Sequence, residues 1–374
     1  MDGHYPHLSH EFLNTLETEG CLGAKVGWMP YHIVLEDDGG KLLAACPAYL
    51  KSNSFGEFVF DWMFADAYTH AGIDYYPKLV IASPFTPATG PRLLVHPDYR
   101  SQGLTHRLTE QVVDIVNQMG LSSAHWLFSA DRTLIDSPYL LKRLGYQFHW
   151  NNPGVSSFDE YLAGFTSKRR KEIRRERRKV NEAGLVMKRQ RGDQVEAGVW
   201  DQVYELYCKT FNQYGNYPAL SRSFFHVLAA RMGRKLLLVT GQHNEDLVCM
   251  AYFLVGADCL YGRYWGATVD IPDLHFEACY YQGLEYCLEQ GLQRFEPGAQ
   301  GEHKISRGFL PTATWSVHWI AHPVFRSAIA DFIDRENKLV ERKIKHLMES
   351  SPYRNCGVED AAVQDVAHNN RFPA

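Results

Sequence analysis

Apolar residues recur at helical spacing in some stretches of the chain and alternate with polar ones in others, and the two periods predict an ordered series of elements. The first is a helix from Ser9 as N-cap to Glu19, closed by Gly20. YHIVLE and KLLAACPAYL, joined by DDGG, predict a hairpin. KLVIASPF and RLLVHP follow as strands, and Leu104, Leu108, Val112, Ile115 and Val116 mark the apolar face of a helix over residues 103–119. AHWLFSA predicts a strand, SPYLLKRLG a short helix, and YQFHWNN another strand.

The later half repeats this run. A charged helix leads into the strand LVMKRQ, helices near 198–214 and 221–232, and the strands KLLLVTGQ, DLVCMAYFLVG and DCLYGRYWGA. A helix over 274–290, the strand LQRFEPGA, the turn GEHKISRGF, the strand TWSVHWIA and a long helix over 323–349 complete it. A shared order of elements predicts a structural repeat in a mixed α/β chain. The expected division is a domain over 1–165, a second over 166–350 and a loosely held tail over 351–374.

Composition narrows the class. With 45% apolar and 22% charged residues, the 374-residue chain can bury sizeable cores and is not a disordered protein. MDGHYPHLSHEF lacks the basic and apolar regions of a secretory signal, and no run reaches the ~18 apolar residues of a membrane helix, so a cytoplasmic protein is expected. The 8 cysteines form no CxxC pair and the 17 histidines are scattered, so no metal is expected.

Charge is unevenly placed. Lys168 to Lys179, KRRKEIRRERRK, carries nine cations against two Glu, a local +7 within a net charge of −4, which leaves −11 on the rest. Only Ile173, Val180 and, at its end, Ala183 offer this helix an apolar stripe, so most of its circumference faces solvent or a partner. Such a density of charge attracts tRNA, an anionic glycan precursor or acidic lipid headgroups at a membrane surface; the alternative is a solvated helix paired with acidic surface elsewhere.

VHPDYRSQGLTHRL passes from strand to helix through a polar turn. A helix N-terminus carries unsatisfied N–H groups and partial positive charge, and Gly103 lets the backbone approach an anion. With RLLVHPDYRSQGLTHRL so placed, the order of elements resembles the GNAT acyltransferase superfamily, in which an RxxGxG turn binds the pyrophosphate of coenzyme A. The resemblance implies cofactor-binding roles for Arg100, Gly103 and Thr105, with acyl-CoA as co-substrate. Thr105 stands where the family has Gly or Ala, and Leu141 where it has its general-acid tyrosine.

FDWMFADAY, YYPKL, PFTPATGPRLL, QFHWNN, LYGRYWG, HFEACYYQ and EPGAQGEHKISRGFLP extend the likeness over roughly residues 8–345. They resemble the FemAB-type branch, and within it a bacterial FemAB-like, peptidoglycan-related family. The implied fold is α/β, a mixed sheet built as tandem GNAT-like (FemAB-type) domains with a C-terminal helix. The implied activity is transfer of an acyl group to a primary amine on a small molecule or peptide. The donor is acyl-CoA, or aminoacyl-tRNA bound through Lys168 to Lys179; a non-catalytic binder of glycan precursor or RNA is the remaining alternative.

Candidate residues concentrate in the second half. Period-2 alternation puts Tyr261, Arg263 and Trp265 on one face of a strand and Tyr264 on the other. On the next helix Glu277 and Tyr281 share a face that His275 does not. Glu302, His303, Lys304 and Arg307 fall at a strand's carboxyl end, where open α/β sheets bind ligands. Glu302 or His303 is the candidate base for an amine nucleophile, and Lys304 or Arg307 the cation for a phosphate or carboxylate. In the first half Asp61 and Asp66 stand among Trp62, Phe64 and Tyr68, as an amine-binding carboxylate or as a helix N-cap beside core aromatics.

Overall fold

Ser9 accepts the amide of Phe12 and opens the helix His10–Thr18, and Gly20 beyond its end adopts φ +70°, so this helix starts and stops where its caps dictate. A computed structural model describes residues 4–299 and 301–354. The chain divides into two compact units that interleave in sequence, rather than at a single cut near 165. The first comprises residues 1–145, 215–233 and 314–341; the second comprises 146–214, 234–313 and 342–374.

In the first unit Trp28–Pro30 pairs antiparallel with Ala48–Lys51, which pairs antiparallel with Lys78–Ile81. Lys78–Ile81 runs parallel to Ser123–Trp126, whose other edge takes Val317 to Ile320 antiparallel. The expected hairpin forms from Ile33–Glu36 and Leu42–Cys46. Helix Leu104–Gln118 buries Leu104, Leu108, Val112 and Val116 in a core with Leu79, Ile81 and Trp126.

The second unit repeats the arrangement. Val186–Arg191, Leu236–His243, Asp246–Val255 and Cys259–Ala267 form an antiparallel series. Cys259–Ala267 then runs parallel to Arg294–Glu296, which pairs antiparallel with Trp150 and Asn151. Each unit thus carries antiparallel strands, one parallel pair and a closing antiparallel strand, which is the tandem α/β fold expected. Parallel pairing in the second unit covers only Cys259 to Tyr261, where the strand Arg294–Glu296 ends. Gly266 has no room for a side chain, since a Cβ there would lie 2.2 Å from the carbonyl oxygen of Leu206 on helix Ala197–Gln213.

Three expectations are corrected. SPYLLKRLG forms no helix; Leu141–Asn151 is one 11-residue strand. The side chains of helix Pro323–Met348 serve its backbone, with Asn337 accepting from the Leu144 amide at 2.8 Å and donating to the Lys142 carbonyl at 3.0 Å. The helix over 274–290 is interrupted: Leu274–Phe276 and Gln282–Gln290 flank a π-helical turn, Glu277–Tyr281. The segment after Ser350 is not loose where it is described, because Thr166 donates its amide to the Pro352 carbonyl and Arg354 its amide to the Gly164 carbonyl. The tail from 355 onward lies outside the described residues. Among them no helix is long and apolar enough to cross a membrane.

Candidate functional site

The second unit gathers its chemistry beside the π-helical turn. A π-turn adds a residue to the helical repeat, so the successive residues Tyr280 and Tyr281 serve different partners. The Tyr280 hydroxyl lies 2.9 Å from Nε2 of His303, and the Tyr281 hydroxyl donates to the Glu176 carboxylate. Glu176 also accepts from Arg307 at 2.7 Å, and the Arg307 guanidinium lies 3.2 Å from the Phe276 ring centre. His275 packs edge-on against Trp265 at 5.3 Å and against Tyr280 at 5.2 Å, with the His303 ring at 6.0 Å.

Lys304 is the most unusual group. Its side chain is buried, with the residue 3% exposed, and the ammonium donates to the carbonyls of Gly298 (2.8 Å) and Ala299 (3.2 Å). Burial pulls its pKa down to about 7, so near neutrality it changes charge. A lysine has three donors, and two are used. His303 is lowered by burial and by the neighbouring charges of Lys304 and Arg307. His275 is lowered to about 4 by burial, then by His303, Lys304 and Arg307. Both imidazoles are therefore neutral at pH 7. Burial raises the phenols of Tyr280 and Tyr281, which keeps them protonated.

On the far side of the basic helix Ser167–Glu182, Arg177 grips Glu277 through Nε and Nη2, both at 3.0 Å, and reaches Glu285 at 2.6 Å. Gln282 donates to the same Glu277 carboxylate at 2.7 Å. Burial opposes the charge on Arg177, but its bonds to Glu285 and Glu277 outweigh this and raise its pKa. A groove of about 650 Å³ opens here, lined by Phe158, Leu162, Arg174, Arg177 and Glu277 among others. Its size is that of a small-ligand pocket.

Of the residues named from sequence, His275, His303, Lys304, Arg307 and Tyr281 come together, with Glu277 one helix face away. Glu302 does not join them: its carboxylate pairs with Lys343 at 2.8 Å on the surface. Arg263 and Tyr264 also stand apart. A bulge opposite Tyr252 and Phe253 skips Arg263 in the strand register and breaks the alternation. Arg263 bonds the Tyr264 hydroxyl at 3.3 Å, and the Tyr264 ring packs on Tyr207.

The first unit places its candidates separately. Asp61 precedes helix Trp62–His70 without capping it by its side chain. It is buried against the Lys78 ammonium and accepts from the Tyr75 hydroxyl at 2.6 Å, so its charge is already answered from within the fold. Asp66 is exposed, and Tyr68 is buried in a stack on Phe325 at 4.0 Å. At the polar turn Gly103 takes φ +67° between a 3₁₀ turn, Pro97–Gln102, and helix Leu104–Gln118. Arg100 is exposed there, and the Thr105 hydroxyl faces that of Thr133 at 3.5 Å.

Several contributors escaped the sequence reading. Glu176 and Arg177 were counted only as charge, although they flank the buried stripe of Ile173 and Val180, which is the signal that marks them as inward. Tyr280 and Phe276 were passed over because a regular helix puts them off the face of Tyr281. A second polar centre in the first unit joins two quoted motifs, FDWMFADAY and YYPKL, whose meeting the sequence does not show. Lys78 there bonds Glu57 at 2.8 Å and Asp61, while Tyr75 lies 3.1 Å from His125, whose Nδ1 is 2.6 Å from Nδ1 of His318.

The FemAB-like family, described as peptidoglycan biosynthesis/recognition, matches residues 1–355. Among solved structures, FemX is 11% identical with a TM-score of 0.52, the match covering 86% of this chain and 93% of that one. The C-terminal domain of a putative lysylphosphatidylglycerol synthetase from Agrobacterium fabrum is 9% identical with a TM-score of 0.51, covering 81% and 88%. L-PGS from Bacillus licheniformis is 10% identical with a TM-score of 0.50, covering 95% and 99%. No curated protein matches the sequence.

Proposed function

The chain belongs to the FemAB-like family, and from that membership we propose that it moves an acyl group from an activated carrier to a primary amine, with the chemistry at the turn that carries His303 and Lys304. The observation that supports this most is the pairing of a neutral, partly exposed imidazole with a buried ammonium on adjacent residues. With Nε2–H donating to the Tyr280 oxygen, Nδ1 of His303 is left as the acceptor that takes a proton from the incoming ammonium. The neutral amine then attacks the acyl carbonyl, a C–N bond forms, and the third N–H of Lys304 donates to the oxyanion. Collapse breaks the bond to the carrier, the proton held by His303 leaves with the carrier, and the second nitrogen proton passes to solvent, leaving a neutral amide.

Acyl-CoA is the first donor proposed. Gly103 in its left-handed conformation turns the chain into a helix N-terminus with Arg100 exposed beside it, a geometry suited to a pyrophosphate. Binding of CoA should raise the melting temperature of the protein, and Gly103→Asp should remove the shift. No shift with any acyl-CoA would reject this donor.

A second donor, aminoacyl-tRNA, is favoured by the basic helix. Lys168, Lys171 and Arg175 are exposed, recur along one side of it and enter no ion pair among the described residues. Charge reversal of these residues should abolish tRNA binding, and in the wild type the salt dependence between 50 and 200 mM should include about 40-fold from these three contacts. Salt-independent retention would reject it.

A further inference from the structure

We propose that Tyr353 is a positioning residue for the reactive turn, acting together with Tyr161; the proposal rests on the reading of that turn as the site of acyl transfer. The two phenols grip consecutive carbonyls. Tyr161 donates to the Arg307 carbonyl at 2.6 Å, and Tyr353 donates to the Gly308 carbonyl at 2.9 Å. Both belong to the second unit, although 192 residues separate them (353 − 161).

The grip leaves no latitude at Gly308. Its φ is +81°, and a Cβ there would lie 2.4 Å from the Tyr353 hydroxyl and 2.7 Å from that of Tyr161. Two fixed carbonyls set the direction in which Arg307 leaves the backbone. From there the guanidinium reaches Glu176, covers Phe276 and returns a bond to the His303 carbonyl at 2.9 Å. The path from Tyr353 to the imidazole is thus Gly308, Arg307, His303, each link a contact within hydrogen-bonding distance or a peptide bond.

Tyr353 is held for this task from the other side. A single antiparallel bridge joins it to Phe165, its ring lies 4.7 Å from the Phe165 ring, and Arg354 donates from Nε to the Phe165 carbonyl at 3.1 Å. Removing only the hydroxyl leaves those ring and backbone contacts in place. Tyr353→Phe therefore separates a positioning role from a merely adhesive one.

The experiment uses the full chain and follows the His303 imidazole by nitrogen-15 NMR, assigned with His303→Gln, alongside melting temperature and hydrogen exchange. In Tyr353→Phe the melting temperature is expected to change little, the amides of Gly308 and Phe309 to exchange about tenfold faster, and the His303 resonances to move with a titration midpoint nearer the ordinary imidazole value. His32, on the first unit, serves as the unmoved reference. Gly308→Ala keeps the Tyr353 hydroxyl but drives a methyl against it and against that of Tyr161, displacing the same two carbonyls, and is expected to move His303 likewise. Wild-type His303 resonances and titration in both variants would overturn the proposal. With a competent donor and acceptor, Tyr353→Phe is expected to lower kcat about tenfold with KM held. If His303 moves while kcat does not, the assignment of chemistry to this turn fails and the grip on it stands.

Discussion

Arg177 meets Glu277 through two hydrogen bonds of 3.0 Å each, joining the basic helix to the first residue of the π-helical turn. The pair converts one of the nine cations of that helix from a surface charge into a structural tie. Glu277 has little contact with water and is shared with Gln282, so removing the carboxylate strands two sets of donors. Glu277→Ala should destabilise the second unit by about 2–4 kcal/mol, less than a fully enclosed pair because Glu285 still answers Arg177. Urea unfolding checks this, and in an Arg177→Met background most of the loss should disappear.

Lys78 stands at the centre of the other buried polar cluster. Its ammonium is saturated by Ser54, Glu57 and Asp61, all buried. Lys78→Met leaves two buried carboxylates without the ammonium that bonds them both, and a loss of about 3–5 kcal/mol is expected. Lys41→Met, which removes an exposed ammonium bonded to Tyr99, should leave the urea midpoint nearly unchanged. Equal effects of the two changes on the urea midpoint would refute the importance given to this cluster.

The elements were legible in the sequence wherever a local rule governs them. Ser9 and Gly20 bound a helix because capping is decided within a turn, and Leu104, Leu108, Val112 and Val116 met the core because their spacing matches the helical repeat. SPYLLKRLG misled because its backbone partners come from Asn337, almost 200 residues downstream, and no local pattern encodes that. The candidate site was half legible. His303, Lys304 and Arg307 share a short motif, whereas the departure of Arg263 follows from a bulge and the arrival of Tyr280 from a π-turn, and both shift a register that periodicity assumes to be regular. Tyr353 was missed because a polar composition around it hides one aromatic anchor.

His303 and Glu302 are neighbours in sequence with opposite fates, and that difference is measurable. Glu302 points to Lys343 at the surface, while His303 faces Tyr280 beside Lys304. If acyl transfer uses His303 as base, His303→Ala should lower kcat by about 10²–10⁴-fold at pH 7, and Glu302→Gln should leave it within about twofold. Release of free carrier in the presence of an amine acceptor is the measurement. A larger loss for Glu302→Gln than for His303→Ala would return the base to the surface carboxylate.

Lys304 gives the clearest pH signature. Its pKa falls from the ordinary 10.5 to about 7 on folding because burial disfavours the ammonium. Between those two values the unfolded chain binds more protons at this position than the folded one does, so the stability of the wild-type protein gains from this group as pH rises through that window. Below about pH 7 both states are protonated, and the full cost of burying the charge is carried by the fold. Lys304→Met removes the term. The difference in melting temperature between wild type and variant should therefore tilt towards wild type from pH 7 to pH 10, by an amount corresponding to a few kcal/mol, and be flat below pH 6. A difference independent of pH across the whole range would mean that the Lys304 ammonium keeps its proton inside the protein, leaving it a permanent cation in the turn instead of a group poised at neutrality.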